Sequence, residues 1–86
     1  IDTSHDNTLC DGKKNFKKQI ENCKYISNEW KINQNIIGLM IESNINEGKQ
    51  NIEKKPLEYG ISITDGCINL EDTINILNEL NSSLEN

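Results

Sequence analysis

Ile36-Ile37-Gly38-Leu39-Met40-Ile41-Glu42-Ser43-Asn44-Ile45-Asn46-Glu47-Gly48 is a hydrophobic run that ends abruptly in a carboxylate. Ile36, Ile37, Leu39, Met40 and Ile41 are nearly unbroken apolar sequence, which reads as a strand buried on both faces. Glu42 then sits where that strand emerges. Acids are rarely buried without a partner, and the C-terminal ends of parallel strands are where α/β folds put catalytic and metal-binding groups. Two other polar residues hold equivalent places: His5, after Ile1-Asp2-Thr3-Ser4, and Asp65, after Ile61-Ser62-Ile63-Thr64.

Working outward, Phe16, Ile20, Cys23, Ile26 or Ser27, and Trp30 recur at spacings of three and four. That is one face of an amphipathic helix over residues 15–30. A polar loop, residues 5–14, precedes it, and the strand at residues 36–41 follows. The unit is strand–helix–strand. Residues 43–60 form a long segment with little periodicity, then residues 61–64 read as a short strand. Asn69 is an N-cap candidate, with Glu71 and Asp72 in the first turn of a last helix. Leu70, Ile74, Leu77, Leu80 and Leu84 mark its apolar face, and the tail at residues 81–86 is expected to fray.

The chain has 86 residues, one small domain, and a domain of this size buries only roughly 60–65 % of its unfolded surface. With 34 % hydrophobic residues, few helices are available to cover strands on both faces. The chain opens on Ile1-Asp2, without an initiator Met. The expectation is a fragment, or one part of a larger barrel. Asn and Ile abound while Ala, Val and Arg are absent, which we read as coding bias. A net charge of −5 argues against a nucleic-acid surface. The basic cluster Lys13, Lys14, Lys17 and Lys18 reads as a solvated helix face. No apolar run has membrane-spanning length, so no membrane partner is expected. Cys10, Cys23 and Cys67 lack a zinc-type spacing and read as reduced thiols in a cytoplasmic protein.

As metal ligands, His5, Glu42 and Asp65 offer one imidazole and two carboxylates, a set suited to Mn, Fe, Co or Zn. They are too far apart in sequence for a local motif and make sense only if parallel strand ends share one rim. Each also has a plain structural reading. His5 could be a satisfied loop residue, Glu42 could pair with a lysine, and Asp65-Gly66 could be a turn. Cys67 and Cys10 lie near Asp65 and His5 but read as buried or loop thiols. No glycine-rich phosphate loop or nucleophile elbow is present.

These residues carry a resemblance. Ile1-Asp2-Thr3-Ser4-His5, Met40-Ile41-Glu42-Ser43-Asn44-Ile45-Asn46-Glu47-Gly48 and Tyr59-Gly60-Ile61-Ser62-Ile63-Thr64-Asp65-Gly66-Cys67-Ile68 resemble type I 3-deoxy-D-arabino-heptulosonate 7-phosphate (DAHP) synthase. The resemblance implies an α/β fold: the last three parallel strands and last two long helices of a (β/α)8 TIM barrel, incomplete on its own. Residues 1–86 would be the C-terminal segment of one barrel domain. It also carries the family's metal ligands onto His5, Glu42 and Asp65. The fourth family ligand, an early-strand cysteine, has no counterpart, because none of the three cysteines matches its motif. Asp6 replaces a usual small residue, the loop around Cys10 is longer, and Leu70 replaces a usual Trp.

The implied reaction condenses phosphoenolpyruvate with erythrose 4-phosphate, releasing phosphate, as the first step of the shikimate pathway. The implied cofactor is a divalent metal, and the implied partners are the two substrates, the rest of the barrel and further copies of a homo-oligomer. Two phosphorylated substrates need cationic clamps, and this chain has no arginine. The residues 1–86 alone are therefore expected to be inactive and to fold poorly. Two alternatives stand beside this reading: a non-catalytic remnant, or part of another phosphoenolpyruvate-condensing aldolase.

Overall fold

The structure, a computed structural model, describes residues 1–85. A 3-10 turn at His5–Thr8 leads into a two-stranded antiparallel hairpin, β1 (Leu9–Cys10) and β2 (Lys13–Lys14). Asp11 and Gly12 make its turn with φ of 53° and 80°. Two consecutive positive φ values are what an Asp-Gly hairpin turn supplies. The helices α1 (Lys18–Glu29) and α2 (Leu70–Glu85) complete the elements.

Asn15 turns the chain into α1. Its Oδ1 accepts from the Lys17 N–H at 3.1 Å, and its carbonyl accepts from the Lys18 N–H at 3.0 Å. Gln19, Cys23, Ile26 and Ser27 are buried on the face that the periodicity marks, with Phe16, Ile20 and Trp30 packed around it. At α2 the expected cap is present: Asn69 Oδ1 accepts from the Asp72 N–H at 2.8 Å. That bond satisfies one of the helix's orphan donors. The two helices pack on each other through one core of Cys23, Ile26, Ile68, Ile76 and Leu80.

Three expectations need correction. First, the three parallel strands do not form. Among the described residues the one sheet is the antiparallel hairpin β1–β2. Residues 36–41 make a single parallel bridge, Asp2 to Met40, and Ser43 makes a separate one to Ile68. The segment 61–64 meets Lys49 rather than residues 36–41. The reason lies in the ladder itself. Met40 N–H reaches Ile1 O at 2.9 Å and Thr3 N–H reaches Met40 O at 3.0 Å, and there the ladder stops. The apolar run is not buried on both faces either: Ile37 is 96 % exposed. The described residues hold two α-helices and one two-stranded antiparallel sheet, so the chain is not the last three parallel strands and last two long helices at the C-terminal end of a (β/α)8 barrel.

Second, the buried face of α2 is carried by Ile76 and Leu80, whereas Leu70, Ile74, Leu77 and Leu84 are each about half exposed. Third, residues 81–85 continue α2 instead of fraying, and Asn86 lies outside the described residues. Among the described residues, no helix is long and apolar enough to cross a membrane.

Candidate metal centre

The broken ladder is what builds the site. After the bridge at Asp2 the chain turns sharply. Ser4 N–H donates to Asp2 Oδ1 at 2.7 Å, and His5 adopts φ 51° at the start of the 3-10 turn. A non-glycine residue at positive φ is uncommon and is held by its surroundings. Here the Asn7 N–H donates to Ser4 O at 3.1 Å and Thr8 Oγ1 to His5 O at 2.6 Å. The turn aims the imidazole across the chain rather than along it.

His5 Nδ1 lies 2.8 Å from Asp2 Oδ2. That bond assigns the proton to Nδ1 in the neutral ring and leaves Nε2 as a lone-pair donor. Nε2 faces two carboxylates, Glu42 Oε2 at 3.7 Å and Asp65 Oδ2 at 3.8 Å. The other Glu42 oxygen, Oε1, accepts a short hydrogen bond from the buried Ser4 hydroxyl. Asp65 is carried by the segment before the Gly48–Cys67 bridge. Its neighbour Gly66 lies against Phe16, where an added Cβ would come within 3.0 Å of the ring. Only a residue without a side chain lets the backbone next to Asp65 approach the Phe16 ring this closely.

Metal-ligating atoms of His5, Glu42 and Asp65 all lie within 4.8 Å of one another, on half-buried side chains. Donors on one ion with bonds of about 2.1 Å sit roughly 3–3.5 Å apart. A closure of about an ångström would seat an ion, and the donor set of one imidazole and two carboxylates fits a divalent transition metal. Asp2 supplies the outer hydrogen bond that metal-bound imidazoles regularly carry.

The electrostatics agree. The Asp2 hydrogen bond, then the nearby Glu42 charge, holds the His5 imidazolium above its ordinary titration range. The Ser4 N–H, then His5, holds the Asp2 carboxyl below its own. Burial pushes the Cys23 and Cys67 thiols up. Both stay protonated, and no cysteine joins the cluster among the described residues.

All three ligand candidates named from the sequence are therefore brought together. Others at the site were missed. Asp2 and Ser4 are ordinary strand-end residues in sequence. Lys14 and Lys49 line the same cavity of about 400 Å³ as the three candidate ligands. Lys14 was placed on a helix face, yet it stands in β2, and Lys17 pairs with Glu47 at 3.5 Å. The Asp11-Gly12 turn, visible in the sequence, is the signal that could have moved Lys13 and Lys14 off the helix.

Comparison with known proteins follows the same residues. A model of the DAHP synthetase I family matches residues 1–78. The tyrosine-inhibited phospho-2-dehydro-3-deoxyheptonate aldolase of Candida albicans is 40 % identical over 99 % of this chain. The Phe-sensitive aldolase of the same name from Escherichia coli K12 is 41 % identical over 99 %. A solved phospho-2-dehydro-3-deoxyheptonate aldolase from Francisella tularensis SCHU S4 superposes with a TM-score of 0.90 at 41 % identity, covering 99 % of this chain. In each case the chain spans about a quarter (24 %) of the relative's length. With a family model over residues 1–78 and that superposition, the chain belongs to the DAHP synthetase I family.

Proposed function

We propose that this chain is the metal-holding segment of a synthase that condenses phosphoenolpyruvate with erythrose 4-phosphate to give DAHP and phosphate, the first step of aromatic amino acid biosynthesis. The observation that carries the reading is the convergence of His5 Nε2, Glu42 Oε2 and Asp65 Oδ2 on one point from three distant parts of the chain. His5, Glu42 and Asp65 would hold the ion, as Mn, Fe, Co or Zn. A divalent ion bound there supplies Lewis acidity toward an aldehyde oxygen.

The residues' own work is preparation. Asp2 keeps the imidazole in the tautomer that presents Nε2. Ser4 occupies one Glu42 oxygen, so Glu42 offers the other as a single donor. Lys14 and Lys49 place positive charge at the cavity wall, where a phosphorylated substrate would need it. Membership of this family argues against a different phosphoenolpyruvate-condensing aldolase.

The test is a Mn²⁺ titration followed by electron paramagnetic resonance, with a Co²⁺ absorption titration beside it. One bound ion per chain is expected, and Glu42→Ala should weaken it by at least about a hundredfold. In an active synthase containing this segment, the same substitution should abolish metal-dependent turnover. Unchanged Mn²⁺ affinity in Glu42→Ala would reject the assignment.

A further inference from the structure

Between Thr3 and Glu42 the backbone ladder is opened by two amide side chains from α1. A parallel ladder that bonds Thr3 N–H to Met40 O continues by bonding Glu42 N–H to Thr3 O. Neither group of that next rung finds the other. Thr3 O accepts from Asn22 Nδ2 at 2.9 Å. Glu42 N–H donates to Gln19 Oε1 at 2.9 Å. Gln19 Nε2 returns to Glu42 O at 3.2 Å, sharing that oxygen with the Ile68 N–H at 3.1 Å, so one side-chain amide reaches both backbone groups of Glu42 and is the acceptor for its N–H. Gln19 and Asn22 are one turn apart on α1 and reach the same gap.

Gln19 is fully buried, at 0 % exposure. A buried amide is retained only when its donors and acceptor are satisfied, and losing a partner leaves the other group unpaired. Thr3 Oγ1 also lies 3.3 Å from Gln19 Oε1, which ties the residue to the segment that carries His5. The wedge has a geometric consequence. It stops residues 1–4 and 38–42 from zipping further, and so lets the chain turn at Ser4 and send His5 across toward Glu42.

We infer that Gln19 is a positioning residue for the metal centre: its amide takes the place of Thr3 as the partner of the Glu42 N–H and sets the angle between the Glu42 and His5 side chains. The inference rests on the metal reading above, and Gln19 itself is not a ligand. Asn22 is the weaker half of the wedge, because it holds only the Thr3 carbonyl and the Asn7 carbonyl at 3.0 Å.

The test compares the full chain with Gln19→Glu and Gln19→Leu. Gln19→Glu keeps shape and the acceptor for Glu42 N–H but loses the donor to Glu42 O. Gln19→Leu removes both. Mn²⁺ affinity should fall severalfold in Gln19→Glu and about ten- to a hundredfold in Gln19→Leu, the range that outer hydrogen bonds to metal sites show. Ile76→Val, a core change remote from the site, controls for lost stability and should leave Mn²⁺ affinity within about twofold. Gln19→Glu keeps the question open to measurement should Gln19→Leu fail to fold. Affinity equal to the parent in both variants, or an equal loss in Ile76→Val, would overturn the inference.

Backbone amide exchange separates this idea from the metal reading. Glu42 N–H should be protected in the parent and exchange about tenfold faster in Gln19→Leu, where it has lost its acceptor. Were the parent to bind no Mn²⁺, the metal reading would fail while slow Glu42 exchange, lost in Gln19→Leu, would still uphold the grip of Gln19 on Glu42. Exchange at Glu42 that ignores the substitution would refute it.

Discussion

The two helices look alike in sequence and do different work. Both carry apolar residues at helical spacing. In α1 the marked face is buried, and it mixes Cys23 and Ile26 with the polar Gln19 and Ser27. In α2 the marked stripe is mostly half exposed, and the helix is held by Ile76 and Leu80. The same face of helix α1 meets the core through Cys23 and Ile26 and the backbone at Glu42 through Gln19. Helix α2 faces the core and meets the segment that follows Glu42 through Ser43 Oγ to Thr73 Oγ1 at 2.6 Å and Leu70 N–H to Ile45 O at 3.4 Å. Apolar periodicity thus reports which residues could be buried together, while burial also depends on what the rest of the chain brings to that face.

The largest effect that could break this comparison is in the core. Ile26→Ala on α1 should cost about 2–5 kcal/mol of stability, because Ile26 is 1 % exposed and its loss leaves a cavity. Leu77→Ala on α2 should cost under about 1 kcal/mol, since Leu77 is 54 % exposed. Chemical denaturation of the two variants checks the pair, and equal losses would mean that α2 buries its sequence-marked stripe after all.

A smaller effect is expected at the helix starts. Asn69→Ala removes the side-chain acceptor for Asp72 N–H and should cost about 1 kcal/mol. Asn15→Ala should cost no more than that, because Asn15 Oδ1 bonds the exposed Lys17 N–H. Urea midpoints at constant slope would measure both, and a larger loss at Asn15 would show that α1 depends on its entry turn more than α2 does on its cap.

The smallest effect is electrostatic. In the metal-free protein the raised His5 pKa stabilises the fold below its ordinary 6.5, and that contribution is lost as pH rises through the folded value. The depressed Asp2 pKa stabilises above its ordinary 3.8, and its contribution is lost as pH falls through the folded value. The pair therefore adds most between those two pH values, and Asp2→Asn should flatten Tm against pH there. Both side chains are only half-buried and solvent screens their interaction, so the shift in Tm is small. Metal binding runs the other way. It needs the neutral imidazole, so Mn²⁺ affinity should rise as pH passes upward through the His5 pKa. An affinity independent of pH in that range would remove His5 from the ligand set.

Much of the site was readable in the residues. His5, Glu42 and Asp65 each stand at the end of a segment that reads as a short strand, and the structure brings their donor atoms together. The Asn69 cap and the body of α1 were readable too, because capping and helical spacing are local. The run at residues 36–41 was misread. Its apolar character suits a buried strand, but strand formation needs partners along its length, and its ladder with residues 1–3 ends after Met40. The hairpin at Lys13 and Lys14 was missed because a lysine cluster beside a helix reads as part of it.

The sequence by itself determined the local matters: two helices, the cap at Asn69 and the three donor side chains. These depend on backbone preference and on bonds between near neighbours. Only the tertiary structure decided that Gln19 would accept from the Glu42 N–H, that Asp2 would bond the His5 ring while its Nε2 faces two distant carboxylates, and that Ile37 would lie exposed. Those outcomes depend on which backbone groups find partners far along the chain, and a buried N–H or C=O takes whichever partner the packing brings within reach.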